Sequence, residues 1–474
     1  MKKQNAFKRK ILHNGSYSIF ISLAVIAVIV IFNLLISALP AGLTEFDFSE
    51  QKMFSISDQT KKLVGSLEED VTLYYVVQSG SEDSVIEDLI DKYAGLSKHI
   101  RVEKIDPAVN PAFSSAYTAN GITDNSIVVE SKQRFQVVFN DSIYVTTSGY
   151  DSNGNQVSSQ TFEGESALTS AIDYVTNSEL PVIYTLTGHT EKAFSDRLQS
   201  YIAKENIEVI DISLITAGLV PEDCGCLVIN APERDISSEE KDMIMAYLDE
   251  GGNLLYIKDY SLMVSPNMDE ITQKYGIEIE NSVVFEGDSG FTYSNYSYMI
   301  IPNFSSHTIT EPLIENRMFC IVPYALRIRL TDAGENYEQA ALLSTTSSGY
   351  AKDMTRELET LERESQDEKG SMILAAASQN LENSGKMVVI SSMDFLDETI
   401  SSYVSDGNYD FVINAIGWMC EHESSIAIHA KSLSGDALNI SSRQANIWSI
   451  VLTGVIPMLI IATGIIVWVI RRRK

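Results

Sequence analysis

The sequence predicts an α/β protein with two folded domains between two membrane-spanning helices, and three observations predict this class. Two uncharged apolar stretches, Ile19–Leu39 and Ile447–Ile470, bracket the chain. As helices of 21 and 24 residues they would measure roughly 31 and 36 Å, against a hydrocarbon core of about 30 Å. Between them, apolar strand-like runs alternate with amphipathic helix-like runs, as in a parallel sheet covered by helices. A stretch rich in Ser, Asn and Gly, residues 148–160, separates two sets of such elements.

The charges beside the apolar stretches predict the orientation of the chain. Five basic residues and no acid lie within residues 1–18, and residues 471–474 are all basic. Positive charge next to a membrane span stays in the cytoplasm, so both termini are predicted to be cytoplasmic and residues 41–446 to lie outside the plasma membrane. The first stretch exceeds the 7–15 apolar residues of a signal peptide and has no A-x-A site, which favours an uncleaved anchor.

The predicted extracytoplasmic region is strongly acidic. The chain carries a net charge of −29 and its two basic tails supply +5 and +4, which leaves −38 for residues 41–446. Such a surface disfavours nucleic acid and anionic lipid as partners and favours solubility.

A few polar residues interrupt the two apolar stretches. Asn33, Ser37 and Thr453 could form interhelical hydrogen bonds, and Pro457 is expected to kink the second span. The alternative is that each is an ordinary polar residue tolerated in lipid.

Residues 41–147 form the first predicted domain, with the element order α-β-α-β-β-β. The predicted elements are a helix at Gln59–Leu67, a strand at Val71–Val77, a helix at Ser81–Leu96, and strands at Ile100–Ile105, Ser126–Glu130 and Gln136–Phe139. This order resembles a thioredoxin-like layout. The chain has no C-x-x-C motif, so such a domain would be structural and not redox-active.

Residues 148–178 are predicted to form a hairpin and a linker helix. Asn153-Gly154 is a hairpin-turn signal, and Ser166–Val175 has helical character. Asp151, Asn153 and Asn155 alternate as calcium ligands do in an EF-hand loop, but the glycine and glutamate that such a loop needs are missing. We therefore predict no calcium site.

Residues 179–435 form the second predicted domain, a doubly wound parallel sheet. Its predicted strands are Pro181–Leu186, Glu208–Ile212, Cys226–Asn230, Asn253–Lys258 and Lys386–Ser391, with a last strand near Ser425–His429, and its predicted helices are Ala193–Glu205, Ser237–Glu250 and Asp410–Cys420. The charged stretch Lys352–Gly370 is predicted to be a helix-like, solvated excursion.

Doubly wound sheets bind ligands at the carboxyl ends of their strands. The candidate residues at these ends are Gly188, His189, Glu191, Asn230, Asp259 and Asp394. His189 and Glu191 could act as an acid–base pair, but no nucleophile elbow and no phosphate-binding glycine loop is present. The chain therefore cannot be its own ATPase. The alternative for His189 is a polar strand-end residue bonded to backbone.

Cofactors and metals are not predicted. The six histidines show no H-E-x-x-H spacing. The four cysteines, Cys224, Cys226, Cys320 and Cys420, are expected to be buried free thiols, and a Cys320–Cys420 disulfide is left open.

Several motifs together resemble the GldG-like family, auxiliary components of ABC-type transport systems. The main matches are Phe162–Ile172 and, after Pro181, Leu186–Glu191. The further matches are Phe54–Ser57, Asp106-Pro107, Tyr247-Leu248, Gly251–Leu255, Val388–Ile390 and Asp394-Phe395. The resemblance covers nearly the whole chain, including both apolar stretches.

The resemblance implies a non-catalytic partner of a separate ATP-binding subunit and a permease. It also implies that the second domain has a glutamine-amidotransferase-like fold without the nucleophilic cysteine. The family often reads G-H-G-E where this chain has Gly188-His189-Thr190-Glu191. Threonine adopts a positive φ less readily than glycine, which argues against a tight backbone approach to a ligand at this point.

Three functions remain open at this stage. The first is the auxiliary transport subunit. The second is a cell-surface hydrolase that uses His189 and Glu191 with Asp259 or Asp394. The third is an independent module that binds a ligand or the cell wall, in which Phe291–Tyr298 would stack on sugar; the alternative for that segment is an aromatic β-hairpin packed on the core.

Overall fold

The computed structural model describes residues 55–119, 121–150, 156–177, 180–355, 360–421, 431–432 and 458. They form a mixed α/β structure, which confirms the predicted class. Within these residues every helix is too short or too polar to cross a bilayer. The two predicted spans, with Asn33, Ser37, Thr453 and Pro457, lie outside the described residues apart from Met458.

The described helices follow one another as α1 Asp58–Gly65, α2 Ser84–Leu96, α3 Phe113–Tyr117, α4 Asn140–Ile143, α5 Gly164–Thr176, α6 Asp196–Lys204, α7 Leu214–Ala217, α8 Ser238–Asp249, α9 Pro266–Lys274, α10 Glu311–Glu315, α11 Glu398–Tyr403 and α12 Gly407–Met419.

The described strands are β1 Val71–Val76, β2 Ile100–Ile105, β3 Ser126–Glu130, β4 Phe135–Val138, β5 Tyr144–Tyr150, β6 Gln156–Phe162, β7 Val182–Leu186, β8 Glu208–Ile212, β9 Cys224–Asn230, β10 Leu254–Ile257, β11 Ile277–Phe285, β12 Met299–Ile300, β13 Asn303–Phe304, β14 Val322–Pro323, β15 Leu326–Leu330, β16 Tyr337–Ser344, β17 Tyr350–Asp353, β18 Glu368–Lys369, β19 Ile373–Asn380, β20 Lys386–Ile390 and β21 Lys431–Ser432.

The N-terminal sheet has the strand order β2-β1-β3-β4. Strands β1 and β2 are parallel, whereas β3 and β4 are antiparallel to their neighbours. The predicted order of elements is confirmed, with two additional short helices, α3 and α4. Helices α1, α2 and α5 supply buried residues to one core with this sheet, among them Val64, Ile90 and Leu168. The helix that the sequence assigned to a linker therefore completes the N-terminal core.

Hydrogen bonds at the start of α5 bring the two ends of the described region to one corner. The backbone N–H of Ser57 donates to the buried carboxylate of Glu165 at 2.7 Å. Strand β21 pairs with β6 so that Lys431 lies opposite Phe162 and Ser432 opposite Thr161. Ser57, near the first described residue, and Lys431-Ser432, the last described strand, therefore meet beside residues 161–165, and we call this place the terminal corner.

A buried polar network makes the terminal corner rigid. The Thr60 hydroxyl donates to Glu165 at 3.0 Å and lies 3.0 Å from the Thr169 hydroxyl. The Tyr93 hydroxyl donates to the Glu165 carbonyl at 3.0 Å. A buried carboxylate is stable only when donors replace the water that it loses, and here the Ser57 N–H and the Thr60 hydroxyl at the start of α1 do so. Tyr93 of α2 and Thr169 of α5 extend the network around them.

Strands β20, β10, β9, β7 and β8 form the parallel half of the large sheet, in that order. Alternate residues of each strand face two different cores. Val228 and Ile257 belong to the core with α6 and α12, whereas Leu227 and Tyr256 belong to the core with α8 and α9. The predicted parallel sheet with helices on both faces is confirmed, because continuous apolar runs are typical of strands buried on both sides.

The other half of the sheet is antiparallel and was not predicted. It continues from β20 through β19, β15, β11, β17 and β18, and β16 also pairs with β19. The helix predicted within Lys352–Gly370 is wrong for the described residues. Lys352 lies in β17 with only 1% of its surface exposed, and its ammonium lies 2.9 Å from both Glu364 and Asp367. Those two carboxylates compensate the buried charge, which the sequence pattern could not reveal.

The hairpin predicted around Asn153-Gly154 is confirmed by the antiparallel pairing of β5 with β6, although its tip, residues 151–155, lies outside the described residues. The strand predicted near Ser425–His429 also lies outside them. The aromatic β-hairpin considered for Phe291–Tyr298 is wrong, because this segment forms two short 3₁₀ turns, Ser289–Phe291 and Tyr293–Asn295.

Candidate functional site

The order of the parallel strands places a switch point between β7 and β9. From β7 the chain moves outward to β8, and it then returns past β7 to β9 and continues to β10. In open α/β sheets the crevice beyond such a point is the usual place for a ligand. At this edge Gly188 and His189 follow β7, Asn230 is the last residue of β9 and Ala231 follows it.

The chain's own backbone closes this crevice. The Lys192 backbone N–H donates to the Asn230 backbone carbonyl at 2.9 Å, and the side-chain amide of Asn230 donates to the Lys192 backbone carbonyl at 2.6 Å. The Glu233 N–H donates to the His189 carbonyl at 3.0 Å. The loops after β7 and β9 are therefore hydrogen-bonded to each other across the place where a ligand would enter.

His189 lies between two carboxylates and is 7% exposed. Its Nδ1 is 3.0 Å from Glu191 Oε1, and its Nε2 is 3.0 Å from Glu240 Oε2. Ionised carboxylates only accept hydrogen bonds, so both contacts are hydrogen bonds when both ring nitrogens carry protons. We call His189, Glu191 and Glu240 the histidine latch, because it joins the loop after β7 to helix α8.

Both carboxylates of the latch have further structural partners. The backbone N–H groups of Gly188 and His189 donate to Glu191 Oε2 at 3.0 and 2.8 Å. Glu240 forms a capping box with Ser237 at the start of α8, and its Oε2 accepts the Ser237 N–H at 3.0 Å. Both ring nitrogens of His189 and three of the four carboxylate oxygens of Glu191 and Glu240 are therefore engaged within the fold, and the fourth, Glu240 Oε1, is buried.

The backbone of the latch loop has an unusual conformation. Gly188 has a φ of 129°, Thr190 of 63° and Ala231 of 48°. A positive φ is rare for a β-branched residue and costs free energy, so the surrounding hydrogen bonds must hold Thr190 in place. Thr190 thus adopts the conformation that suits glycine, and the inference that its side chain argues against a tight backbone approach to a ligand stays a prediction.

An exposed ion pair lies beside the latch. Lys192 Nζ is 2.9 Å from Asp394 Oδ1, and it also donates to the Met393 carbonyl at 3.3 Å. The side chains of Lys192 and Asp394 are 41% and 30% exposed, so this pair is accessible to a ligand or partner. Among the predicted candidates, Asp394 is thus joined to the loop after β7 through Lys192.

Asp259 is separate from the latch. It is 2% exposed, and its carboxylate accepts the Ser261 N–H at 2.7 Å within its own loop. The neighbouring Lys258 is also buried and its ammonium donates to the Ser265 hydroxyl. Burial lowers the pKa of Lys258, although the charges of Asp269 and other nearby acids oppose the shift. This group anchors the loop after β10 and is closed to a ligand.

Four tyrosine rings lie in contact at the same edge, and we call them the tyrosine ladder. The Tyr296 and Tyr298 ring centroids are 5.4 Å apart, those of Tyr298 and Tyr324 are 4.5 Å apart, and those of Tyr324 and Tyr260 are 5.9 Å apart. The first two pairs are stacked, with interplanar angles of 29° and 10°. Burial, a hydrogen bond with Tyr298 and charges that include Asp394 raise the pKa of Tyr324 to about 12.

The four cysteines are free in the structure. Cys320 donates to the Gly407 carbonyl at the first residue of α12, whereas Cys420 follows the last residue of that helix. Thirteen helical residues separate their positions by roughly 20 Å, so a Cys320–Cys420 disulfide is incompatible with this fold. Burial raises the pKa of the Cys224 thiol to about 11 and that of Cys420 to about 12.

Two protein families match the chain. Residues 50–145 match a domain of unknown function, DUF7088, and residues 180–415 match a family described as an ABC-type uncharacterized transport system. This second match covers the part of the chain that contains the parallel sheet and the histidine latch, and it confirms the resemblance to auxiliary components of ABC-type transport systems. No curated protein matches the chain.

Solved structures resemble the chain only distantly. The mmIFT52 N-terminal domain is 14% identical with a TM-score of 0.38, covering 50% of this chain and 97% of its own. A putative ThuA-like protein from Parabacteroides merdae is 9% identical with a TM-score of 0.32, covering 52% and 92%. The N-terminal domain of alkylhydroperoxide reductase AhpF from Enterococcus faecalis is 14% identical with a TM-score of 0.19, covering 37% and 83%. Because similarities this weak carry no argument, the assignment to an ABC-type transport system rests on the family match alone.

Sequence reasoning found part of this edge. It identified the loop after β7 and Asn230, which the structure brings together, and it identified Asp394, which reaches them through Lys192. It missed Glu240, and of the tyrosine ladder it singled out only the segment that contains Tyr296 and Tyr298. The Ser237-Ser238-Glu239-Glu240 pattern signals a helix cap, but nothing local indicates that the same carboxylate binds His189, 51 residues earlier.

Proposed function

We propose that this chain is a membrane-anchored, non-catalytic subunit that works with a separate permease and a separate ATP-binding subunit. The family match supports association with an ABC-type transport system. The terminal corner is the single structural observation that supports the anchored arrangement most strongly, because both ends of the described region approach it.

The spacing between the corner and the predicted spans is nearly the same on both sides. Residues 40–54 connect the first span to Ser55, and residues 433–446 connect Ser432 to the second span. Segments of 15 and 14 residues reach at most roughly 50 Å each. Two helices that enter one membrane side by side would hold the terminal corner towards the bilayer and leave the large sheet free to contact the permease.

The non-catalytic part of the proposal is supported by the histidine latch. His189 is the group that a hydrolase at this edge would need, and both of its ring nitrogens face buried carboxylates. The crevice between β7 and β9 is filled by its own loops. A substrate could reach His189 only after several buried hydrogen bonds had broken.

Labelling of introduced cysteines in intact cells tests the anchored topology. Ser289→Cys, within the large domain, is expected to react with a membrane-impermeant maleimide, whereas Gln4→Cys is expected to react only after the cells are permeabilised. The cysteine-free chain is the background for both. Labelling of Gln4→Cys in intact cells would contradict the predicted cytoplasmic N-terminus.

A paired substitution tests the terminal corner. Thr161 and Ser432 lie opposite each other in β6 and β21, so Thr161→Cys with Ser432→Cys is expected to form a disulfide in native membranes. Each single substitution is the control. If the double variant stays reduced under oxidising conditions, the two ends do not meet at this corner and the anchored arrangement loses its main support.

A further inference from the structure

The tyrosine ladder is exposed where a buried packing cluster would not be. Tyr296 is 53% exposed and Tyr324 is 39% exposed. Single exposed rings are ordinary on a protein surface, but contiguous exposed apolar patches mark binding sites, and these rings are contiguous. The four rings come from three separate loops of the sheet edge, around Tyr260, residues 296–298 and Tyr324.

The backbone holds these rings in a fixed arrangement. Tyr324 has a φ of 47°, a conformation that a bulky residue adopts only when its surroundings impose it. Its N–H donates to the Tyr298 carbonyl at 3.0 Å, and the preceding Pro323 carbonyl accepts a hydrogen bond from Ser392. The next residue, Ala325, accepts the Val284 N–H at 2.8 Å. A surface held in this way loses little conformational entropy when a ligand binds.

The arrangement of the rings selects among ligand classes. Quaternary ammonium groups are bound by aromatic cages, in which rings surround the cation, whereas Tyr296, Tyr298 and Tyr324 are nearly parallel. Anionic polymers are disfavoured by the charge of −38 that the sequence gives to residues 41–446. An uncharged ligand with flat apolar faces and polar edges fits best.

Polar groups lie within reach of the ladder. The Tyr298 and Tyr324 hydroxyls share a hydrogen bond, and Asp394 is close enough to Tyr324 to act on it electrostatically. Asp394 is paired with the exposed Lys192. The ladder therefore combines ring faces with hydroxyl, carboxylate and ammonium groups, which suits a molecule with both C–H faces and many hydroxyls.

We propose that the tyrosine ladder is a binding surface for an uncharged glycan chain, in which a sugar ring stacks on the face of Tyr296 that is turned away from Tyr298 and the chain contacts the exposed part of Tyr324, while Asp394 and Lys192 bind sugar hydroxyls. This proposal goes beyond the proposed transport function and does not depend on it. It assigns the ligand-binding role to the tyrosines and the adjacent ion pair, and leaves the buried histidine latch with a structural role.

Calorimetric titration of the full-length chain in detergent micelles tests the proposal. The probes are a tetramer of N-acetylglucosamine and a tetramer of glucose, both uncharged, with a proline-rich peptide as the competing class of aromatic-surface ligand. Saturable binding of at least one oligosaccharide is expected. Loss of one stacking ring in Tyr296→Ala is expected to weaken that binding roughly two- to tenfold.

Matched variants separate binding from folding. Tyr296→Phe retains the ring and is expected to bind nearly as well as the unaltered chain. Phe135→Ala removes a ring of similar exposure, 41%, from the N-terminal sheet and is expected to have no effect. The binding result for Tyr324→Ala is interpreted only if the thermal unfolding of this variant matches that of the unaltered chain, because Tyr324 lies in a strained turn.

Three results would each overturn the proposal. The first is the absence of saturable binding by either oligosaccharide. The second is binding that Tyr296→Ala leaves unchanged. The third is binding of the proline-rich peptide alone, with the same dependence on Tyr296. None of them bears on association with a permease, so failure here is distinct from failure of the proposed transport function.

Discussion

The histidine latch gives the sharpest prediction about the stability of the large domain. In His189→Ala the imidazole disappears, and Glu191 and Glu240 then face each other without the proton donor between them. Their side chains are only 7% and 1% exposed, so water cannot replace the lost hydrogen bonds without disturbing the loop after β7. The variant therefore leaves two buried carboxylates that face each other and keep only their hydrogen bonds from the Gly188, residue-189 and Ser237 N–H groups and from the Ser237 hydroxyl.

The expected loss is large for a single substitution. Removal of one partner from a buried ion pair costs about 3–5 kcal/mol. A domain the size of residues 180–415 shifts its melting temperature by roughly 2–4 °C per kcal/mol, which gives a decrease of roughly 6–20 °C. His189→Ala combined with Glu240→Gln is expected to recover part of this loss, because one of the two facing charges is then removed.

Thermal unfolding monitored by Trp418 fluorescence measures this effect, since Trp418 packs against the core of the large domain. The matched control is His99→Ala, which removes a histidine from a solvent-exposed pair with Asp70 in the N-terminal domain. That control is expected to cost less than about 1 kcal/mol. If His189→Ala shifts the melting temperature no more than His99→Ala does, the latch does not stabilise the fold and the argument from it is wrong.

Three further predictions concern the backbone, a buried acid and the thiols. Thr190→Gly should stabilise the chain by about 0.5–1 kcal/mol, because glycine adopts the positive φ at this position without strain. The same change at Thr216, which lies in helix α7, should destabilise the chain. Urea unfolding of both variants measures the difference. Burial raises the pKa of Asp410, so its contribution to stability is present below the unfolded pKa and is lost as pH rises through the folded pKa. Asp410→Asn should therefore gain more stability, relative to the unaltered chain, at pH 8 than at pH 4 in urea titrations, and an equal difference at both pH values would contradict this assignment. The thiol pKa values of Cys224 and Cys420 are raised to about 11 and about 12, so both should react slowly with a disulfide reagent at pH 8 in the native protein. After denaturation all four thiols should react. Rapid reaction of the native protein would show that these two thiols are accessible.

The parallel half of the large sheet could be predicted because its strands have a clear sequence signature. Cys226–Asn230 and Lys386–Ser391 are short apolar runs bounded by turn residues, and this pattern is typical of strands that are buried on both faces. The capping motif at Ser237 likewise fixed the start of α8 in advance, and the structure confirms it as a capping box.

The antiparallel half could not be predicted for the opposite reason. Strands β16 and β19 contain several alanines with polar residues at their ends, a composition with low strand propensity. They become strands because they pair with each other and because β19 also pairs with β20, a tertiary effect that no local window contains. The burial of Lys352 beside Glu364 and Asp367 has the same origin, since a charged run predicts exposure unless its partners are known.

The candidate site shows the same limit. The loop around His189 could be located from the end of an apolar strand, but its carboxylate partners determine its role, and one of them lies on another element. The tyrosine ladder is assembled from loops separated by more than 20 residues, so only Phe291–Tyr298 carried a visible signal, and its predicted β-hairpin structure was wrong.

Co-purification from native membranes tests the central claim most directly. The tagged full-length chain would be crosslinked in the membrane under mild conditions, extracted and analysed by mass spectrometry, with an unrelated tagged membrane protein of similar abundance as the control. We predict that an ATP-binding subunit and a multi-span permease are enriched together with this chain and absent from the control. Recovery of the chain alone, or with cell-wall material only, would contradict the auxiliary-subunit assignment and favour an independent surface module.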